Sequence, residues 1–208
     1  MRITTLFIAL TLSACVTINV ERRSELPIAA ARIQSTGTQV RVEGVVTVAS
    51  GAFDDGFALQ DASGGIYVTR TVGAVMKPGS RVRVSGTTAA PNKQIAIEPA
   101  TIELLGNGSV PTPVEIPTGA VSPSTEGRLL AVRGTVNGEV IDDQPWGWKI
   151  HLDDGSGRLL VFIATATKID VKGFRAGQSL LVVGFSGRYE QHTELLPRHQ
   201  ADLEILSD

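Results

Sequence analysis

Cysteine is almost missing from this chain. The single one, Cys15, leaves no internal disulfide to be made. Histidine is scarce as well. His151, His192 and His199 show no metal-ligand spacing on one element, and no His-Glu-x-x-His occurs. The acidic pairs Asp142-Asp143 and Asp153-Asp154 lack the Asp-x-Asp-x-Asp-Gly pattern of a calcium loop. Gly155-Ser156-Gly157 lacks the spacing of a nucleophile elbow, and no glycine-rich phosphate loop with a following lysine is present. The expectation is a chain without a catalytic set, a metal or a cofactor. Basic excess is missing too: 19 Lys and Arg stand against 21 Asp and Glu, a net charge of −2. That argues against a dedicated duplex-DNA binder, whose attraction to phosphate needs clustered cations, but leaves room for a local basic groove. The apolar run at the start, Ile3 to Thr11, is too short to span a bilayer.

What is plentiful is glycine, 22 residues, together with β-branched side chains. Both favour short strands joined by turns. The 208 residues leave room for one domain or two small ones. One stretch is written twice. Phe57-Ala58-Leu59-Gln60-Asp61-Ala62-Ser63-Gly64-Gly65-Ile66-Tyr67-Val68 is followed later by Ile150-His151-Leu152-Asp153-Asp154-Gly155-Ser156-Gly157-Arg158-Leu159-Leu160-Val161. Apolar residues alternate into and out of a shared Asp-x-Ser-Gly turn, the pattern of a hairpin. Asp suits that turn by bonding its own backbone, and Gly by accepting positive φ.

The repeat extends beyond the hairpin. Val40 to Val46 matches Leu130 to Val136, glycine on glycine (Gly44 and Gly134). A glycine inside a strand marks a bulge or a corner. Pro78-Gly79 matches Ala176-Gly177, Val82 to Gly86 matches Leu180 to Gly184, Pro99 matches Pro197, and Ile102-Glu103-Leu104 matches Leu203-Glu204-Ile205. Leu26 to Ile33 spaces its apolar residues for a short helical turn that Ser24 would cap, and a second turn is expected within Thr71 to Lys77. The organisation expected is a leader over 1–14, a tether over 15–25, a first domain over 26–105, a Gly/Pro-rich linker over 106–113 and a second domain over 114–206.

Each copy resembles an OB-fold domain. The resemblance is carried by the Val-x-Gly-x-Val opening, the Leu-x-Asp-x-Ser-Gly hairpin and the Gly-x-x-Val-x-Val-x-Gly fourth strand. It is similar to the anticodon-binding type and to accessory OB domains of secreted bacterial nucleases and surface proteins. Ile28-Ala29-Ala30-Ala31-Arg32 and Glu126-Gly127-Arg128-Leu129, ahead of the two barrels, add to the second likeness. The fold implied is all-β: two tandem OB-like five-stranded barrels with short helical turns. The nuclease domain that accompanies such modules is missing.

Leu12-Ser13-Ala14-Cys15 after Arg2 and the apolar run resembles the lipobox of bacterial lipoproteins. That resemblance implies cleavage before Cys15, acylation of its thiol and anchoring in a membrane. Val16 in place of Asp points to the outer membrane, facing the periplasm or the exterior. The alternatives are an ordinary secretory signal with an incidental cysteine, or a buried N-terminal strand.

OB domains bind single-stranded nucleic acid, oligosaccharides or proteins on the face of their second and third strands. In the first copy Ala58, Gln60 and Tyr67 would face outward there, with Arg70 beyond. In the second, Lys149, His151, Leu160 and Phe162 would, with Trp146 and Trp148 at the mouth of the inserted loop Gly138 to Gly147. Aromatics beside cations suit stacked bases and phosphates. The plainer alternative has Trp148, which shares the parity of Ile150, plugging the barrel end. It has Leu160 and Phe162 packing against a neighbour and Tyr67 as a lone surface aromatic. Asp142, Asp143, Asp153, Asp154, Asp170, Glu190 and Glu194 would crowd the loops and repel phosphate. The function expected is therefore a non-catalytic, lipid-anchored binding module for single-stranded nucleic acid. Its rivals are a structural envelope component that pairs with another envelope protein, and a glycan-binding module.

Overall fold

The computed structural model describes residues 24–73 and 75–207. The leader and Cys15 lie outside the described residues. Chain order begins with a short helix α1 (Ile28–Arg32) and strands β1 (Gln39–Val48), β2 (Phe57–Gln60), β3 (Gly65–Val68), β4 (Ser80–Ala89) and β5 (Ala96–Asn107). Then come β6 (Val114–Glu115), β7 (Leu129–Val136), β8 (Ile141–Asp143), β9 (Gly147–Asp153), β10 (Leu159–Ala164), β11 (Ser179–Tyr189), β12 (His192–Leu196) and β13 (Leu203–Ile205). The first five strands close in the order β1-β2-β3-β5-β4. The same ring recurs as β7-β9-β10-β12-β11, closed by pairing of β11 with β7. In both rings the junction of third and fifth strands is parallel and the other junctions are antiparallel. The chain is all-β, a tandem of five-stranded OB-like barrels.

Strand alternation explains each interior. In the first barrel Val40, Val42, Val46, Leu59, Ile66, Val68, Val82 and Val84 point inward and are buried with Phe57 and Ile97. In the second the same is true of Leu130, Val132, Ile150, Leu152, Leu159, Val161, Ile163, Leu180 and Val182. Each such side chain stabilises the barrel by about 1.5–3 kcal/mol relative to exposure.

Gly44 sits where β1 leaves β4, at Val45↔Arg81, and takes up β2, at Val45↔Gln60. A Cβ there would stand 2.9 Å from the Gln60 carbonyl oxygen. The register irregularity falls later, between Val46 and Val48, and leaves Thr47 without a cross-strand partner. The two prolines act differently. Pro99 is absorbed by a bulge within an unbroken β5. Pro197 falls between β12 and β13, and the last strand of the second barrel is split there.

The hairpin turns do more than reverse the chain. Asp61 Oδ1 accepts from the backbone N–H groups of Ser63 (2.7 Å) and Gly64 (2.9 Å). Its Oδ2 accepts the Ile28 N–H at 2.9 Å, and Ser63 Oγ accepts the Ala29 N–H at 3.0 Å. Helix α1 is thus capped by the turn and not by Ser24, and its buried Ile28 and Ala31 close the bottom of the barrel. The second copy repeats the device. Asp154 Oδ2 accepts the Thr118 N–H (3.1 Å) and Ser156 Oγ accepts the Gly119 N–H (2.9 Å), at a 3-10 turn over Thr118–Ala120. Among the described residues of 71–77 there is no helical turn.

The two barrels are packed face to face. Tyr67 and Ala58 of the first meet Phe185 and Leu196 of the second in one buried cluster, flanked by Phe53 and Phe162. The Tyr67 and Phe185 rings lie 5.7 Å apart, and Phe53 and Phe185 6.2 Å. Residues 126–129 run along the seam as a strap. Glu126, 2% exposed, accepts the Ile95 N–H at 2.7 Å and pairs with Arg32 at 3.4 Å. Arg128 donates to the Ser63 carbonyl at 2.7 Å, and the Leu129 N–H donates to Gln60 Oε1 at 3.0 Å. Gly65 and Gly127 touch backbone to backbone: a Cβ on Gly65 would fall 1.8 Å from the Gly127 oxygen. At the other end Arg198, held bidentately by Asp202 at 2.8 and 2.9 Å, donates to the freed Thr47 carbonyl at 3.0 Å.

Candidate nucleic-acid interface

The seam decides which OB faces remain open. Both β2 and β3 are buried along their whole length. Tyr67 is 6% exposed, and its hydroxyl donates to Asp54. Burial, and then that carboxylate, push the phenol far above its usual range. Ala58 and Gln60 are buried too. The outward ligand face expected on the first barrel is therefore covered by the second barrel, and Tyr67 is no surface aromatic. Arg70 is exposed and pairs with Glu98 at 3.6 Å, outside the seam.

The matching face of the second barrel is not covered by the first except at its edge, and is partly exposed. It is formed by β9, β10 and β12, where Leu160 stands opposite His151 on one side and Glu194 on the other. Phe162 stands opposite Lys149 in the next row. All five side chains are half-buried. Lys149 Nζ lies 2.7 Å from Asp143 Oδ2 on β8. His151 Nδ1 is buried without a hydrogen-bond partner. Burial, then the charges of Arg158 and Lys149, lower the pKa of that imidazole below the usual value. Burial raises the Glu194 carboxyl to about 7 against the opposing pull of Lys149.

The tryptophans separate. Trp146 is 72% exposed at the tip of the β8–β9 hairpin. Its backbone is fixed by bonds to the Asp143 carbonyl (2.9 Å) and from the Thr165 N–H (3.0 Å). Trp148 packs against the interior of the second barrel, as its parity with Ile150 implied. Phe162 packs at the edge of the seam, on the neighbour-packing alternative. The structure thus brings Lys149, His151, Leu160 and Phe162 onto one face with Trp146 at the end of β9, and leaves Tyr67 and Arg70 elsewhere. Sequence reasoning placed Glu194 in a loop, whereas it lies within β12 and looks onto this face. Its alternation with Leu195, which enters the barrel interior, was the signal available. Among the described residues no group of His, Cys, Asp and Glu could hold a metal ion, and no helix is long and apolar enough to cross a membrane.

No family profile and no curated protein matches the chain. Solved structures do. The single-stranded DNA binding protein from Thermus aquaticus is 16% identical over 84% of this chain and 95% of that one, with a TM-score of 0.29. A murine DNA binding protein solved with double-stranded DNA is 10% identical over 81% and 96%, with a TM-score of 0.39. A replication protein A heterotrimer bound to single-stranded DNA is 13% identical over 84% of this chain and 50% of that one, with a TM-score of 0.29.

Proposed function

We propose that the protein is a non-catalytic binding module, held at a bacterial envelope by an acylated Cys15. In this reading the β9–β10–β12 face engages single-stranded nucleic acid. The anchor is supported by the Leu-Ser-Ala-Cys motif of the sequence. The ligand is supported above all by Trp146, a large aromatic ring left exposed on the hydrogen-bonded hairpin that leads into β9, the strand that carries Lys149. An exposed ring stacks on any base, and nearby cations attract the backbone. Arg158, beside His151, has no ion-pair partner among the described residues and adds a second cation.

The test is fluorescence anisotropy of a labelled single-stranded oligonucleotide with residues 16–208, across a salt series. Binding should weaken linearly on a log scale as salt rises. Trp146→Ala should weaken it by about tenfold, the stacking of one base being about 1–3 kcal/mol. Absence of salt-sensitive binding removes this ligand class.

A second reading, recognition of another envelope protein, is favoured by one observation. The first OB face of this chain already recognises a protein surface, that of the second barrel. A partner of that kind survives nuclease treatment and high salt in a membrane pull-down. A glycan ligand would use Trp146 with little salt dependence.

A further inference from the structure

The β9–β10–β12 face holds an unpaired carboxyl within electrostatic reach of one cation, Lys149. Glu194 lies one strand from Leu160 and two from His151, about 10 Å by strand spacing. Lys149 stands on the same side of β9 as His151, one row along. Among the described residues no hydrogen bond or ion pair holds the Glu194 carboxyl, while Lys149 is close enough to act on its charge. The groups facing it can be named element by element. On its side of the sheet β9 carries Lys149, His151 and Asp153, and Arg158 stands just ahead of β10. From β12 itself comes His192. From β11 the opposing residue is Gly187, which brings no charge. Behind Gly187 the first barrel offers the neutral amide of Gln94. Lys149 is engaged on its other side by Asp143.

Resting on the nucleic-acid reading above, we propose that Glu194 is a proton-controlled gate on this face. Protonated, it leaves Lys149 and Arg158 to the phosphates of a bound strand; ionised, it competes with those phosphates for Lys149. A carboxyl in this apolar row beside Leu160 gives up its proton near neutrality, so the gate works between mildly acidic and mildly alkaline solution. His151 acts in the same direction at lower pH, because a phosphate brought beside it favours its charged form.

The test uses residues 16–208, wild type and Glu194→Gln, with a labelled single-stranded oligonucleotide at constant ionic strength. Wild-type affinity should rise by about fivefold from pH 8 to pH 6, the effect of removing one partly screened negative charge. Glu194→Gln should bind at pH 8 as tightly as the wild type does at pH 6, and its profile should be flat above pH 6.5. A second readout needs no ligand. A carboxyl whose folded pKa is raised stabilises the protein when protonated, and that stabilisation is lost as pH rises through about 7. The wild-type melting temperature should therefore fall between pH 5 and pH 8 more steeply than that of Glu194→Gln. Binding with the same pH slope in both proteins overturns the gate and leaves the ligand standing. Absence of binding by both proteins at pH 6 overturns the ligand, and the gate with it.

Discussion

Phe185 allows the seam to be tested without disturbing either barrel interior. On β11 it has the parity of Leu181 and Val183 and points out of the second barrel, whereas Leu180 and Val182 point in. It is 2% exposed because Tyr67, Phe53 and Ala58 cover it. Phe185→Ala should cost about 3–5 kcal/mol, the range for truncating a buried phenylalanine, including the loss of its ring contacts. Spread over about 200 residues, that lowers the melting temperature by about 10 °C. The sharper expectation concerns cooperativity. Both tryptophans lie in the second barrel, so tryptophan fluorescence follows that half alone, while far-ultraviolet circular dichroism follows both. In the wild type the two signals should change together, since seam and strap link the halves. In Phe185→Ala they should separate. A variant that melts within 2 °C of the wild type, or wild-type signals that are already apart, would rule out a stabilising seam.

Two further predictions concern the turn and the anchor. Hydrogen bonds from Ser156 and Thr118 hold the Asp154 carboxyl well below the usual carboxylate range. Its stabilising contribution is then full above the ordinary Asp value of about 4 and is lost progressively as pH falls below it, through the depressed folded value. Asp154→Asn should be less stable at neutral pH with a shallower acid limb by circular dichroism, and equal limbs would refute the assignment. Cys15→Ala should leave the protein soluble or uncleaved, and unchanged membrane fractionation would count against acylation.

The barrels were legible in the sequence for a physical reason. A strand with one face inside and one outside writes its burial as an alternation, and Val40 to Val46 and Leu180 to Gly184 carry it plainly. The Asp-x-Ser-Gly turn was legible as a turn but not as a cap. The groups it caps, Ile28 and Thr118, lie more than thirty residues upstream. Of the seam, only the packing of Phe162 was legible as an alternative, for a related reason: Tyr67, Phe185 and Leu196 have the outward parity that in a lone barrel means solvent. A trace of it was there. Phe57-Ala58-Leu59 and Ile66-Tyr67-Val68 are apolar at both parities, the mark of strands covered on both faces. Nothing local pairs Gly65 with Gly127, because that contact exists only once both barrels are folded.

That glycine contact, with the strap beside it, also governs how strongly the protein can hold a long ligand. Two barrels strung on a loose linker could each grip the same polymer, and the second grip, being intramolecular, would multiply affinity by about 10²–10⁴. With the first face spent on its own neighbour, this chain presents one OB face where two separate barrels would present two. Tight retention of a long polymer would then have to come from several copies of the chain acting side by side.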